Sequence, residues 1–155
     1  MGFSLCAGPE FRHYGSSVAR GFINLDEVIP FVDSTMKFLI GTRDTATISA
    51  KVFEQPGFSG RSAYVDSTYE TTWRHKFTQR LTIGAGLRAY NTDFLKPTAR
   101  NDWIITPSVV GSYTFNRHLV VEASWLFDHA FSLVPNTDGR EYTRNAVSLG
   151  AKYSF

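Results

Sequence analysis

Asp128, His129 and Ser132 are the residues whose types and closeness in the sequence suggest nucleophilic chemistry. Such chemistry requires the histidine, acting as a base, to lie within hydrogen-bond reach of the serine hydroxyl. Successive side chains of a β-strand point to opposite faces, so a spacing of three places His129 and Ser132 on opposite faces. We therefore interpret them as an interfacial histidine and a loop serine, and we predict no catalytic site and no enzyme activity.

The sequence also contains no recognisable set of ligands for a metal ion or a cofactor. The remaining histidines are scattered, at His13, His75 and His118, without the spacing of a metal site. Cys6 is the single cysteine, which excludes a disulfide framework and a zinc constellation. Gly84 and Gly86 precede no helix, so they are not a phosphate loop, and small residues that ease strand curvature explain them. We predict neither a metal nor a cofactor.

The composition of the whole chain indicates strands that are apolar on one side only. The 155 residues include thirteen Phe, seven Tyr and three Trp, yet the mean hydropathy is −0.17. No run approaches the ~18 apolar residues that a membrane-spanning helix needs. The net charge of +2 and the absence of a basic stripe give no indication of a nucleic-acid partner.

The last stretch, Tyr142 to Phe155, shows the alternation most clearly. One set of positions is apolar and the other mostly polar: Val147, Leu149, Ala151, Tyr153 and Phe155 against Arg144, Ala146, Ser148, Gly150, Lys152 and Ser154. A strand places these sets on opposite faces. Nothing remains to cover the apolar face except neighbouring strands, a second sheet or lipid.

Similar alternation recurs from Met36 onward, and the turns between the strands form a repeat. Short turns centre near residues 43, 79 and 117, and longer loops lie at 54–61, 91–100 and 131–141. Short and long connections therefore alternate, as they do in an up-and-down meander. Pro107 removes one backbone donor from its strand, which predicts a bulge or locally weak pairing.

The N-terminal part is less regular than the rest. We predict a weakly defined first strand near 10–20 followed by a loop within residues 1–33, and a meander of transmembrane strands over 34–155. The chain has no basic start followed by an apolar core, so we find no signal peptide. For an exported protein this pattern indicates a mature form, a fragment or a misplaced start.

A β-sandwich, a soluble barrel and a transmembrane barrel all fit the alternation. Strands of about 9 to 15 residues and aromatics gathered at strand ends favour the transmembrane barrel. The predicted aromatic girdle comprises Trp73, Phe77, Tyr113, Phe115, Tyr153 and Phe155 near the short turns, with Trp103, Trp125 and Phe127 near the long loops. The predicted lumen-facing charges are Lys51, Glu70, Arg74, Arg88, Glu122, Arg144 and Lys152.

The segment SYTFNRHLVVEASWLF, followed by a polar loop and YTRNAVSLGAKYSF, resembles the C-terminal part of the type 2 β-barrel porin family of Gram-negative outer membranes. The resemblance covers roughly Tyr64 to Phe155. It implies a location in the outer membrane, short turns on the periplasmic side, and recognition of the terminal Phe155 by the barrel-assembly machinery. It also implies a porin-like channel for passive diffusion of small polar solutes, with the lipid bilayer as a partner.

Two alternatives stay open at this point. The repeat gives eight strands if 10–20 counts, so the chain is either an eight-stranded barrel or the C-terminal strands of a larger one. In the smaller barrel, Glu70, Glu122 and Asp128 could pair with Arg74, Arg88 and Lys152 and plug the interior, giving a closed structural barrel. In the larger one, an excess of basic residues predicts weak anion preference.

Some proteins of the wider group accompany exopolysaccharide export, so polysaccharide-export proteins are a further expected class of partner.

Overall fold

The chain forms one antiparallel sheet in the computed structural model, which describes residues 1–13, 26–55, 64–94, 100–133 and 141–154. The strands are β1 Gly2–His13, β2 Asp26–Ile40, β3 Asp44–Gln55, β4 Tyr64–Lys76, β5 Leu81–Phe94, β6 Arg100–Thr114, β7 Leu119–Ser132 and β8 Tyr142–Tyr153. Each strand pairs with the next along the chain, in the order β1-β2-β3-β4-β5-β6-β7-β8. The predicted all-β, antiparallel, up-and-down fold is therefore confirmed.

The sheet is open in the part of the chain that the structure describes. β1 and β8 are its two edges, and no pairing joins them. The strands are 12 to 15 residues long, which exceeds the ~9–11 residues that a tilted strand needs to cross a bilayer. Within the same residues, no helix is both long and apolar enough to span a membrane.

The first two strands differ from the prediction. β1 covers Gly2–His13 instead of 10–20, and β2 begins at Asp26, where a loop was expected. Pro9 and Pro30 obscured both strands in the sequence, and they lie opposite each other in the β1–β2 register. The β2–β3 register begins only at Val32, so both prolines lie where their strand is paired on one side. A strand with one unpaired side tolerates a residue that has no N–H group.

Two other strands, β5 and β7, continue further toward the long loops than predicted. β5 extends through Asn91 to Phe94, and β7 extends to Ser132. These polar ends resemble loop sequences, but their side chains bond across the sheet, since Asn91 Nδ2 donates to Asn101 Oδ1 over 2.9 Å. Residues 56–63, 95–99 and 134–140, the centres of the predicted loops, lie outside the described residues.

The turn between β2 and β3 depends on a glycine. The predicted turn began at Thr42, whereas β2 ends at Ile40 and Gly41 opens the turn with a φ of 64°. A side chain with a Cβ is disfavoured at this φ, so glycine suits the position. The short turns at 77–80 and 116–118 agree with the predicted positions.

The two faces of the sheet differ in chemistry. We call one the apolar face; its members include Ile48, Tyr69, Trp73, Leu87, Val109, Trp125, Val147 and Leu149. We call the other the charged face; its members include Lys51, Asp66, Glu70, Arg74, Arg88, Glu122, Asp128, Arg144 and Lys152. Continuous registers from β1 to β8 keep the two sets apart across the whole sheet.

Burial in this sheet differs from that of a soluble domain, in which large apolar side chains are mostly covered. In the central strands, Leu87 and Val109 on the apolar face are 46% and 45% exposed, whereas Thr106 and Asp128 on the charged face are 5% and 1% exposed. Ala130 is the one buried apolar side chain among the described residues. The sheet thus leaves its large apolar side chains exposed and covers a few polar ones of the charged face, while the seven predicted lumen-facing residues are exposed.

Pairing between β6 and β7 is interrupted at Pro107, as the sequence predicted. Ile105 pairs with His129, and pairing resumes where Ser108 meets Leu126. The register is the same on both sides of the gap, so no residue is inserted. The interruption is therefore a local loss of pairing and not a bulge, as expected for a residue without an N–H donor.

Candidate functional site

The seven charged residues predicted to face a lumen all lie on the charged face. They come from five strands: Lys51 from β3, Glu70 and Arg74 from β4, Arg88 from β5, Glu122 from β7, and Arg144 and Lys152 from β8. Glu70 lies directly opposite Arg88 in the β4–β5 register. The alternation of each strand fixes the face, and the registers bring the separate strands into one charged surface.

A row of polar residues crosses all eight strands on this face. We call it the polar row: Ser4, Thr35, Ser49, Glu70, Arg88, Thr106, Asp128 and Arg144. From β4 onward its charged members alternate in sign, beginning with acidic Glu70 and ending with basic Arg144. Four of these residues, Glu70, Arg88, Asp128 and Arg144, were identified from the sequence. The row was not, because a row depends on how separate strands are aligned.

Asp128 is the best-anchored member of the polar row. Thr106 Oγ1 donates a 2.7 Å hydrogen bond to Asp128 Oδ1, and Arg144 Nε donates a 2.8 Å bond to Oδ2. Arg74, Arg88 and Lys152 were expected to pair with the inward acids, but the structure pairs Asp128 with Arg144, which lies opposite it in β8. A buried carboxylate needs such charge-assisted bonds to offset its lost hydration.

A second acid, Asp66, is held in a similar way nearer the long loops. Its Oδ1 accepts a 2.6 Å bond from the Tyr90 hydroxyl and a 3.0 Å bond from Thr92 Oγ1. Both donors come from β5, the next strand. The carboxylates of Asp66 and Asp128 are therefore satisfied by neighbours across the strands, which fixes these two side chains in place.

Small residues leave space beside the polar row. A pocket of about 130 Å³ is lined by Glu70, Gly86, Arg88 and Thr106, among others. At Gly84, an added Cβ would lie 3.0 Å from the Trp73 carbonyl oxygen and 3.1 Å from Val110 Cγ1. Glycine at this position permits the close approach of β4 and β6 to β5.

Trp73, His75 and Phe77 form a cluster of rings on the apolar face at the short-turn end, which we call the Trp73 cluster. Trp73 Nε1 donates a 2.9 Å bond to Asp44 Oδ1, and His75 Nδ1 lies 2.8 Å from the same oxygen. His75 stacks between Trp73 and Phe77, with ring centroids 5.8 and 4.6 Å away. Tyr113 and Phe115 make an edge-on pair at 4.8 Å. Rings with one apolar side and one hydrogen-bonded edge suit a boundary between lipid and water.

The predicted aromatics of the long-loop end lie at different depths. Trp103 is the fourth residue of β6, close to the long loop, whereas Trp125 is the seventh of fourteen residues in β7. Phe127 lies two residues further along β7. Phe131, which sequence analysis assigned to a loop, pairs with Trp103 in the β6–β7 register and marks the same end. Tyr153 ends β8, and Phe155 lies outside the described residues.

Ser132 and His129, which were considered for catalysis, each contact a different neighbour. Ser132 Oγ donates to the Asn101 carbonyl oxygen over 3.2 Å, and the His129 ring lies 5.6 Å from that of Phe131. Across the described ranges, no group of three or more His, Cys, Asp or Glu side chains is arranged to hold a metal ion.

An up-and-down sheet with one exposed face of aliphatic and aromatic side chains, and with charged side chains gathered on the other face, has the pattern of a membrane β-barrel wall, because lipid solvates the apolar face. Residues 41–155 match the family model described as "Putative beta-barrel porin 2", which spans β3 to β8, and the chain belongs to this family. No curated protein and no solved structure matches the chain. The predicted family resemblance is confirmed, and the family indicates a porin-like barrel protein.

Proposed function

We propose that the protein is a porin-like channel of the outer membrane through which small polar solutes diffuse passively. The observation that carries this proposal is the exposed apolar face of the sheet, on which Leu87 and Val109 are open to the surroundings, with charged side chains gathered on the other face. Exposed apolar surface of this extent is stable only against lipid or a partner. If lipid covers the apolar face, the charged face lines the interior.

The proposed lumen wall carries charges of both signs, which favours polar solutes in general. Among the described side chains of the charged face, basic residues outnumber acidic ones by eight to six: Lys37, Lys51, Arg74, Lys76, Arg88, Arg100, Arg144 and Lys152 against Asp33, Asp66, Glu70, Asp102, Glu122 and Asp128. This small excess supports a weak preference for anions.

Aromatic side chains are proposed to position the barrel in the bilayer. The Trp73 cluster marks the short-turn interface, and Trp103 with Phe131 marks the long-loop interface. The predicted recognition of Phe155 by the barrel-assembly machinery belongs to the same proposal. Removing Phe155 is expected to lower the amount of barrel in outer-membrane fractions without changing its synthesis, and an unchanged amount would contradict this role.

A closed structural barrel is the second candidate, and the polar row favours it. Asp128, Thr106 and Arg144 already bond to one another across three strands. If the eight strands close on themselves, such side chains fill an interior that is only wide enough to hold them. A channel then requires either a larger barrel or an interior that opens.

Conductance across planar lipid bilayers separates the two candidates. We expect the purified full chain, inserted from detergent, to give discrete ion-conductance steps. Ser112→Trp adds a ring to the charged face and is expected to reduce the steps, whereas Val109→Trp adds it to the apolar face of the same strand and is expected to leave them unchanged. Insertion without steps would support the closed barrel, and equal effects of both variants would contradict a lumen on the charged face.

A further inference from the structure

A second, larger pocket lies on the charged face at the long-loop ends of β4, β5 and β6. Its volume is about 300 Å³, and its lining includes Tyr64, Tyr90, Phe94, Arg100 and Asp102. The registers place Tyr64 opposite Phe94, and Phe94 opposite Arg100, so three neighbouring strands build one wall. The volume lies at the lower end of the ~300–1,000 Å³ range of ligand pockets, which suits a ligand of about one ring.

Aromatic rings on this side of the sheet are not explained by the membrane. Lipid favours rings on the apolar face, yet Tyr64, Tyr90 and Phe94 all belong to the charged face. Tyr64 and Phe94 lie 5.2 Å apart between ring centroids with their planes 35° apart, and together they form a broad apolar surface. The Tyr64 hydroxyl is fixed by a 2.9 Å bond to Gln55 Oε1, which holds its ring in place.

The charged groups of the pocket carry no net charge, and one carboxylate oxygen has no hydrogen-bond donor among the described residues. Arg100 and Asp102 form an ion pair through Asp102 Oδ2. The other oxygen, Oδ1, is buried and accepts no hydrogen bond from the residues that the structure describes. The Arg100 guanidinium lies over the Phe94 ring, 4.8 Å from its centre, so a set of hydrogen-bond donors lies beside the two aromatic rings. A ligand hydroxyl that reaches Oδ1 after a turn of the Asp102 side chain would satisfy this acceptor.

We propose that this pocket binds the ring of a neutral pyranose sugar at the long-loop entrance of the channel. A pyranose has flat C–H faces that pack on aromatic rings and hydroxyl groups that can donate to Asp102 and accept from Arg100. The internal ion pair gives no advantage to a charged solute. This inference deepens the proposed function and rests on it, since the charged face must meet water for a sugar to reach the pocket.

Saturation-transfer NMR on the full chain in detergent micelles tests the proposal, with methyl β-D-glucopyranoside as the probe and mannitol as its match. Both compounds have six-carbon skeletons rich in hydroxyl groups, but only the glucoside has a flat C–H face. We expect saturation transfer to the ring C–H protons of the glucoside and little to mannitol. Equal transfer to both, or none to the glucoside, would overturn the proposal.

Variants of the pocket identify the residues responsible. Phe94→Ala is expected to weaken glucoside binding about five- to tenfold, as the loss of one ring contact allows. Asp102→Asn keeps the size of the side chain but removes the ion pair, and is expected to weaken binding as well. Phe53→Ala is the control, because Phe53 is an aromatic residue of the same face that contacts Lys51 outside the pocket. Equal losses in Phe94→Ala and Phe53→Ala would contradict the assignment.

Conductance keeps the two proposals distinguishable. If the protein gives conductance steps but does not bind the glucoside, the channel proposal stands and the sugar-pocket proposal fails. If the protein binds the glucoside through Phe94 but gives no conductance, the sugar pocket stands as a site on a closed barrel and the channel proposal fails. Folding of each variant is checked by its circular dichroism spectrum in the same micelles, and Asp102→Asn decides the outcome if Phe94→Ala does not fold.

Discussion

Asp128 shows how single residues specify the charged face. Its carboxylate is almost fully covered, and it is stabilised by a hydroxyl from β6 and a guanidinium from β8. The position faces the gap in pairing beside Pro107, so side-chain bonds join β6 and β7 where the backbone ladder is interrupted. Burying a carboxylate is unfavourable unless it is paired, so removing its charge alone leaves its partners unmatched.

Asp128→Asn is therefore expected to destabilise the folded protein by about 1.5–3 kcal/mol, the range for hydrogen bonds to a charged group. The measurement is the urea dependence of unfolding in lipid vesicles. Glu122→Gln is the matched control, because Glu122 is an exposed acid on the same face of the same strand. A similar loss of stability in both variants would show that the Asp128 bonds contribute nothing specific.

Arg88 is the residue through which the proposed ion preference can be changed. It lies in the polar row between Glu70 and Thr106, and its side chain is exposed. Arg88→Gln is expected to shift the reversal potential in a KCl gradient toward cation preference, since an acid then dominates this part of the wall. Arg43→Gln, in the turn before β3, is the control and is expected to leave the potential unchanged. Cation preference in the unaltered protein would contradict the proposed anion preference.

At the scale of the strands, close packing makes the stability of the sheet depend more on some glycines than on others. Gly84 and Gly150 both lie on the charged face, but a Cβ at Gly84 would meet the backbone of β4, whereas a Cβ at Gly150 would meet nothing within 4 Å. Gly84→Ala is therefore expected to cost about 1–3 kcal/mol of stability through overpacking. Gly150→Ala is expected to be neutral or slightly stabilising. Urea unfolding in vesicles measures both, and equal stabilities would contradict the packing at Gly84.

Alternation along single strands made much of the fold predictable. β5, β7 and β8 repeat apolar and polar residues at period two, so the face of Arg88 or Val147 could be assigned from sequence. β1 and β2 were misplaced because Pro9 and Pro30 interrupt that pattern. The polar row and the Asp128–Arg144 pair could not be predicted, because they depend on the alignment of strands that are distant in sequence. Phe131 was missed because the polar residues around it resemble a loop.

At the scale of the whole molecule, the open edges of the sheet need partners in a membrane. β1 and β8 are unpaired on their outer sides in the described part of the chain. Hydrocarbon does not satisfy free backbone N–H and C=O groups, so these edges must pair with each other or with further strands. Closure of eight strands predicts a filled interior, and addition of strands predicts an open pore, which conductance distinguishes.

The orientation of the two faces is the claim on which the channel depends, and a nitroxide scan of β6 in lipid vesicles tests it most directly. Single cysteines are introduced from Ser108 to Ser112 in a Cys6→Ser background and labelled. We predict that labels at Val109 and Gly111 collide mainly with oxygen dissolved in lipid. Labels at Ser108, Val110 and Ser112 are predicted to collide mainly with a water-soluble nickel complex. Val110 is the informative position, since it is apolar but lies on the charged face. Contact with lipid at the even-numbered positions, or no alternation at all, would contradict the account.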